Sequence, residues 1–85
     1  MHVVVDGEVQ GVGYRYTMRI VAREAGASGW VRNRRDGTVE AEVEGETDAV
    51  DRMAAWLAQG PRSARVDAVE ADAAEPRGDR GFRIA

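Results

Sequence analysis

The order of periodicities along the chain predicts an α+β fold, with two helices on one face of an antiparallel sheet. Two observations carry that expectation. Apolar residues alternate at period two in the first segment and on both sides of Asp36-Gly37, as half-buried strands require. Between Tyr14 and Gly26, and between Thr47 and Gly60, they recur instead at helical spacing. Strand, helix, two strands, helix and strand, closed by a short terminal strand, is the order of the ferredoxin-like split β-α-β plan. With 85 residues the chain supports one small core, so a single domain over residues 1–85 is expected.

The first strand is read from Val3, Val5, Gly7 and Val9 alternating with Val4, Asp6 and Glu8. The helix after Tyr14 aligns Met18, Val21, Ala22 and Ala25, and Gly26 ends it. Ser28 to Arg34 and Thr38 to Glu44 form a hairpin around Asp36-Gly37. Thr47 is placed as N-cap of the second helix, with Asp48 and Asp51 in its first turn and Val50, Met53, Ala54 and Leu57 as its apolar stripe. Gly60-Pro61 stops it. Ala64 to Ala71 reads as a fourth strand, Glu75 to Asp79 as a polar turn and Gly81 to Ala85 as a final strand.

The hairpin register follows from the apolar pattern. A two-residue loop at Asp36-Gly37 would set Val31 against Glu42. A three-residue loop, Arg35 to Gly37 with Gly37 left-handed, pairs Val31 with Ala41 and Asn33 with Val39. It also sets Arg32 opposite Glu40, a favourable cross-strand charge pair. The three-residue loop is therefore expected, with Asn33 on the helix-covered face at the end of the second strand. Strands one and two run parallel in this plan with strand three between them. Their carboxyl ends share one edge, so the loop after strand one, Arg15 and Asn33 should converge.

Composition narrows the function classes. Twelve basic and fifteen acidic residues leave a net charge of −3, which opposes general nucleic-acid binding. Every basic residue is arginine, a spread that reads as compositional bias, so position must argue for any one of them. There is no cysteine, hence neither a disulfide nor a thiolate. No apolar run approaches a membrane span and no signal-peptide pattern opens the chain, so no membrane partner and a cytoplasmic location are expected.

The segment Val5 to Arg15 carries the chemistry. It reads as a strand, a glycine-bearing loop and the first turn of a helix. A guanidinium there is locally unfavourable, because free N–H groups already make that end positive. An anion held between them resolves the conflict, and arginine matches phosphate oxygens two at a time. Gly11 and Gly13 let backbone N–H groups turn inward. The loop is no P-loop, since its lysine and hydroxyl residue are missing. Asn33, an amide on an apolar face, either caps the hairpin or orients water.

The remaining polar groups take plainer roles. Arg19 and Arg23 are expected on a solvated helix face, and Arg34 and Arg35 in a solvated turn. His2 shows no carboxylate or metal partner in the pattern. Trp30 and Trp56 read as packing residues. Glu40, Glu42 and Glu44 read as solvent-facing acids that guard against sheet-edge association, not as a metal site. No thiolate, Ser-His-Asp arrangement or histidine stands near the anion loop. A phosphatase built this way would use direct attack by water, which suits a good leaving group such as the carboxylate of an acyl phosphate.

Val5-x-Gly7-x-Val9-Gln10-Gly11-Val12-x-Tyr14-Arg15 resembles the first signature of the acylphosphatases, and Gly29-Trp30-Val31-Arg32-Asn33-x-x-x-Gly37-x-Val39 the second. Later landmarks, from Trp56-x-x-x-Gly60-Pro61 to Gly81-Phe82-x-Ile84, extend the resemblance over nearly the whole chain. Tyr14 departs from it, since phenylalanine is common there. A phenol is tolerable if it reaches solvent or a backbone acceptor. The resemblance implies hydrolysis of acyl phosphates to a carboxylate and inorganic phosphate. Arg15 and the loop Gln10, Gly11, Val12, Gly13 and Tyr14 would bind the phosphate, and Asn33 would orient the attacking water. No metal, cofactor or obligate partner is implied, and a monomer is expected.

Two competing functions are weighed against this one. A non-catalytic anion-binding module on the same fold is disfavoured by the presence of both Arg15 and Asn33, and a domain of a larger maturation enzyme by the extent of the chain. A chain that opens just before the first signature and closes just after Ile84 also favours a stand-alone enzyme. Single-stranded RNA binding needs exposed aromatics on the central strands. Strand one has none, and Thr38 to Glu44 offers acids instead.

Overall fold

In a computed structural model that describes residues 1–85, five strands form one sheet in the order β4-β1-β3-β2-β5. They are β1 (His2–Glu8), β2 (Ser28–Asn33), β3 (Val39–Glu44), β4 (Arg65–Asp72) and β5 (Phe82–Ile84). Helix α1 (Tyr14–Ala25) follows β1 and α2 (Thr47–Gln59) follows β3, which is the expected ferredoxin-like order. The pairs among β1 to β4 are antiparallel, while β5 adds to β2 in parallel, so the sheet is mixed at that edge.

The three-residue hairpin is present. Val31 faces Ala41, Arg32 faces Glu40 and Asn33 faces Val39, and Gly37 is left-handed at φ 92°. The Arg34 N–H donates to the Thr38 carbonyl at 2.9 Å and closes the loop. One face of the sheet supplies Val3, Val5, Val31, Val39, Ala41, Val43 and Phe82 to the core. Met18 and Ala22 of α1 and Met53 and Leu57 of α2 cover it.

Two local expectations are corrected. Glu46, not Thr47, is the N-cap of α2: its extended backbone ends the approach from β3, and its carbonyl accepts from the Val50 N–H at 3.0 Å. Helix boundaries of this kind shift by a residue with the geometry of the incoming chain. Ala54 is exposed, because the arc of α2 facing the sheet passes through Met53, Trp56 and Leu57. Burial along β4 does not alternate strictly, because its pairing with β1 shifts between Asp6 and Gly7 and makes Asp67 an extra residue.

The uncovered face of the sheet is not the idle surface that the pattern suggested. His2 is not alone, since its Nε2 lies 2.7 Å from Glu40 Oε2. Arg32 donates to the other Glu40 oxygen at 2.6 Å and lies 5.7 Å from the Trp30 ring centroid. Glu44 accepts from the Arg77 N–H at 2.6 Å, and the Arg77 side chain lies 3.7 Å from Glu42. Because β3 is the middle strand, these acids cannot guard an edge. They bind across the sheet and hold the segment that crosses from β4 to β5.

Candidate active site

Helix α1 begins at a residue that only glycine fits comfortably. Gly13 is left-handed at φ 78°, as is Gly11 at φ 73°. Gly13 makes no side-chain cap, and no acid stands in the first turn. None of the backbone N–H groups of residues 10–13 donates to a protein acceptor, whereas the Thr17 N–H returns to Gly13. Arg15 is half-buried beside them with no carboxylate within ion-pair distance. Arg15 and the two loop glycines, Gly11 and Gly13, share the lining of one concavity of about 140 Å³ with Val9, Tyr14, Tyr16 and Ile84. The arrangement has the charge and donor geometry of an oxyanion cradle.

Two distant residues hold the loop. Gln10 Nε2 donates to the Arg34 carbonyl at 2.7 Å and to the Thr38 carbonyl at 2.9 Å. These carbonyls belong to the residues that close the β2–β3 hairpin, immediately beyond Asn33 and before Val39. Gln10 therefore ties the glycine loop to the end of β2. On the other side, the Ser63 hydroxyl donates to the Val12 carbonyl. The peptide is trans, so its N–H, on Gly13, points the opposite way from that carbonyl. Fixing the carbonyl outward fixes a donor inward.

Asn33 lies at the same sheet edge, half-buried on the helix-covered face. Its Oδ1 is buried and has no hydrogen-bond partner. A buried amide oxygen without a donor is uncommon and calls for a role. It lies at the strand end to which Gln10 ties the loop, although Asn33 is not among the residues that line the concavity.

The expected loop residues do different things. Gln10 commits its side chain to the hairpin and, like Val12, is not among the residues that line the concavity. Tyr14 is fully buried, with its ring centroid 5.1 Å from that of Trp56. Its hydroxyl donates at 3.0 Å to the Leu57 carbonyl, a backbone acceptor near the end of α2. Burial raises the phenol above its ordinary value of 10, so it stays a neutral donor. Arg23 reaches the Phe82 carbonyl at 3.4 Å and Arg19 lies 5.4 Å from the Tyr16 ring centroid, so neither is merely solvated. Ser63 and Ile84 escaped sequence reasoning. Only the Gly60-Pro61 turn before Ser63 hinted that the chain changes direction there.

The acylphosphatase family profile matches residues 1–84. The chain belongs to the acylphosphatase family. An acylphosphatase of Roseiflexus sp. (strain RS-1) is 52% identical over 84 residues, which cover 98% of this chain and 90% of that one. Acylphosphatase from Bacillus subtilis, known from its crystal structure, superimposes with a TM-score of 0.92 at 33% identity, over 99% of this chain and 94% of its own. The fold also matches full-length HypF, whose crystal structure is in the phosphate- and nucleotide-bound form, at a TM-score of 0.88 and 25% identity, with 99% of this chain and 11% of that one covered. Hydrolysis of acyl phosphates is the reaction of the acylphosphatase family, and the chain is a hydrolase of that kind. No helix is long and apolar enough to cross a membrane.

Proposed function

We propose that the chain acts as one domain over residues 1–85 and as a monomer, and that it hydrolyses acyl phosphates through a site made of Arg15, the backbone N–H groups of residues 10–15 and Asn33. The observation that carries this reading is the double hydrogen bond of Gln10. It brings the anion cradle to the strand end where the unpartnered Asn33 oxygen lies.

In the proposed reaction, Arg15 and the loop hold the phosphoryl oxygens. Phosphoryl transfer proceeds through a loose transition state that spreads charge over those oxygens, so preorganised donors do most of the work. Asn33 Oδ1 accepts a hydrogen bond from water and aims its lone pair at phosphorus. The phosphorus–oxygen bond to the acyl group breaks, the carboxylate leaves, and the water oxygen joins the phosphate. The pocket lining offers no carboxylate or imidazole, and a carboxylate leaving group needs no acid. Charge is supplied by the guanidinium and N–H groups, so the reaction is expected to proceed without a metal.

The test is hydrolysis of benzoyl phosphate in chelator by wild type, Arg15→Ala and Asn33→Ala. Removing one such donor costs about 3 kcal/mol, roughly a hundredfold in rate. Arg15→Ala should damage both binding and turnover, whereas Asn33→Ala should lower mainly kcat. If phosphate affinity collapsed in Asn33→Ala while kcat held, the role given to Asn33 would be wrong. A folded wild type that binds phosphate at Arg15 without turnover would instead be an anion-binding module.

A further inference from the structure

The lining of the concavity has two unlike parts. Gly11, Gly13 and Arg15 supply the anion-binding part of its lining, and Val9, Tyr14, Tyr16 and Ile84 supply the apolar part. Tyr16 is 58% exposed and Ile20 is 41% exposed, and they are the exposed large hydrophobic residues of the whole chain. They stand four residues apart on α1, so they are neighbours on one helix face, about 5–6 Å apart between Cβ atoms. This apolar stripe starts at the rim of the anion cradle. Arg19 lies over the Tyr16 ring at 5.4 Å from its centroid, which restrains the ring before anything binds.

An acyl phosphate is also two unlike halves: a phosphoryl dianion and an acyl group joined through one oxygen. With the phosphoryl group on the N–H row, the acyl group must leave the cradle past its rim. We infer that Tyr16, extended by Ile20 and flanked by Ile84, is the acyl subsite, and that it selects aromatic or bulky apolar acyl groups over small ones. The inference rests on the reading of residues 10–15 as the phosphoryl site. Arg19 is engaged with the Tyr16 ring, and the next exposed charges along this face, Arg23 and Glu24, stand beyond Ile20 and further from the cradle. An acyl group ending in a second carboxylate gains no fork of donors there.

The test uses two stable analogues in which a methylene replaces the bridging oxygen: phenacylphosphonate for benzoyl phosphate and acetonylphosphonate for acetyl phosphate. Their dissociation constants are measured by calorimetry for wild type, Tyr16→Ala, Tyr16→Phe, Ile20→Ser and Arg15→Ala. In the wild type the phenyl analogue should bind about tenfold tighter than the methyl analogue, as one aromatic contact allows. Tyr16→Ala should bring that ratio close to one, Tyr16→Phe should retain it, and Ile20→Ser should reduce it less, since it lies a helical turn further out. Arg15→Ala should weaken both analogues together. Equal affinities in the wild type, or a Tyr16→Ala variant that weakens both analogues alike, would overturn the subsite. A wild-type dimer that Tyr16→Ala dissolves without changing the ratio would give the stripe to a second copy instead. Retained discrimination in a protein that fails to turn over benzoyl phosphate would support the subsite and defeat only the hydrolytic roles.

Discussion

The two helices of this molecule begin in opposite ways. Helix α2 starts from Glu46 in extended conformation, with Asp48 in its first turn, so carboxylates stand next to its free N–H groups. Helix α1 starts from left-handed Gly13, has no acid in its first turn and places Arg15 there. Both termini share the same macrodipole, equivalent to roughly half a positive charge. Only one of them is left unmatched by the chain itself. A helix start becomes an anion site through what its first turn withholds, not through the dipole alone. At their other ends the helices converge. Gly26 donates to the last carbonyls of α1 and Gly60 to Trp56 of α2, so both carboxyl ends are closed internally.

The largest break in this contrast is to give α1 the acid that α2 already has. Arg15→Glu should abolish measurable hydrolysis, a loss of at least about a thousandfold in kcat/KM, while leaving the melting temperature unchanged or raised. Arg15→Lys should also fail substantially, because a point charge cannot form the fork. Steady-state kinetics beside thermal melts of the same samples check both statements.

Next in size is the tie between the two halves of the site. Gln10→Ala removes both hydrogen bonds to the hairpin, each worth about 1 kcal/mol. It should lower kcat/KM about tenfold, and phosphate affinity should fall by less than kcat does. Equal losses would mean that Gln10 shapes only the cradle and not its alignment with Asn33.

Tyr14→Phe probes the closed end of α2. It removes the donor to the Leu57 carbonyl and should lower stability by about 1 kcal/mol, measured by denaturant unfolding, with kcat/KM unchanged. A fall in activity with intact stability would place the phenol in the chemistry.

On the uncovered face, the hydrogen bond from His2, assisted by Arg32, holds the Glu40 carboxyl below its ordinary value of 4.5. A depressed folded-state value stabilises the fold above the unfolded value and loses that contribution as pH falls through the folded one. Stability should therefore decline below about pH 4.5, and Glu40→Gln should make that decline shallower. Urea midpoints measured from pH 3 to pH 7 read the difference. The smallest effect is expected from Asp48→Asn, a loss of about 0.5 kcal/mol in low salt with no kinetic consequence, because no residue of α2 lines the concavity.

Much of the fold was legible along the chain, and the reasons are local. The hairpin register followed from placing apolar residues on one face: only the three-residue loop keeps Val31 off Glu42. The glycine loop before Arg15 was legible because positive φ and a cation at a helix start are both features of single residues and their neighbours. Where boundaries depended on how the chain enters an element, the pattern slipped. Thr47 has the chemistry of an N-cap, yet the path out of β3 gives that position to Glu46. The acids of β3 looked like edge guards although the expected plan set strand three between strands one and two; what the spacing of one strand could not give was their partners His2, Arg32 and Arg77 from other segments.

Periodicity and turn chemistry act between residues close in sequence, so the residues themselves determined the order of elements, the hairpin and the two signatures. Contacts between residues far apart could be decided only when the chain returned on itself. Gln10 meets the hairpin across 24 residues and Ser63 meets Val12 across 51. Tyr14 reaches Leu57 across 43, and Ile84 comes to the pocket because β5 docks in parallel on β2. Each depends on strand order and helix packing, which set distances that no local pattern encodes. The sequence held the parts of the site, and the tertiary fold decided which way their donors point.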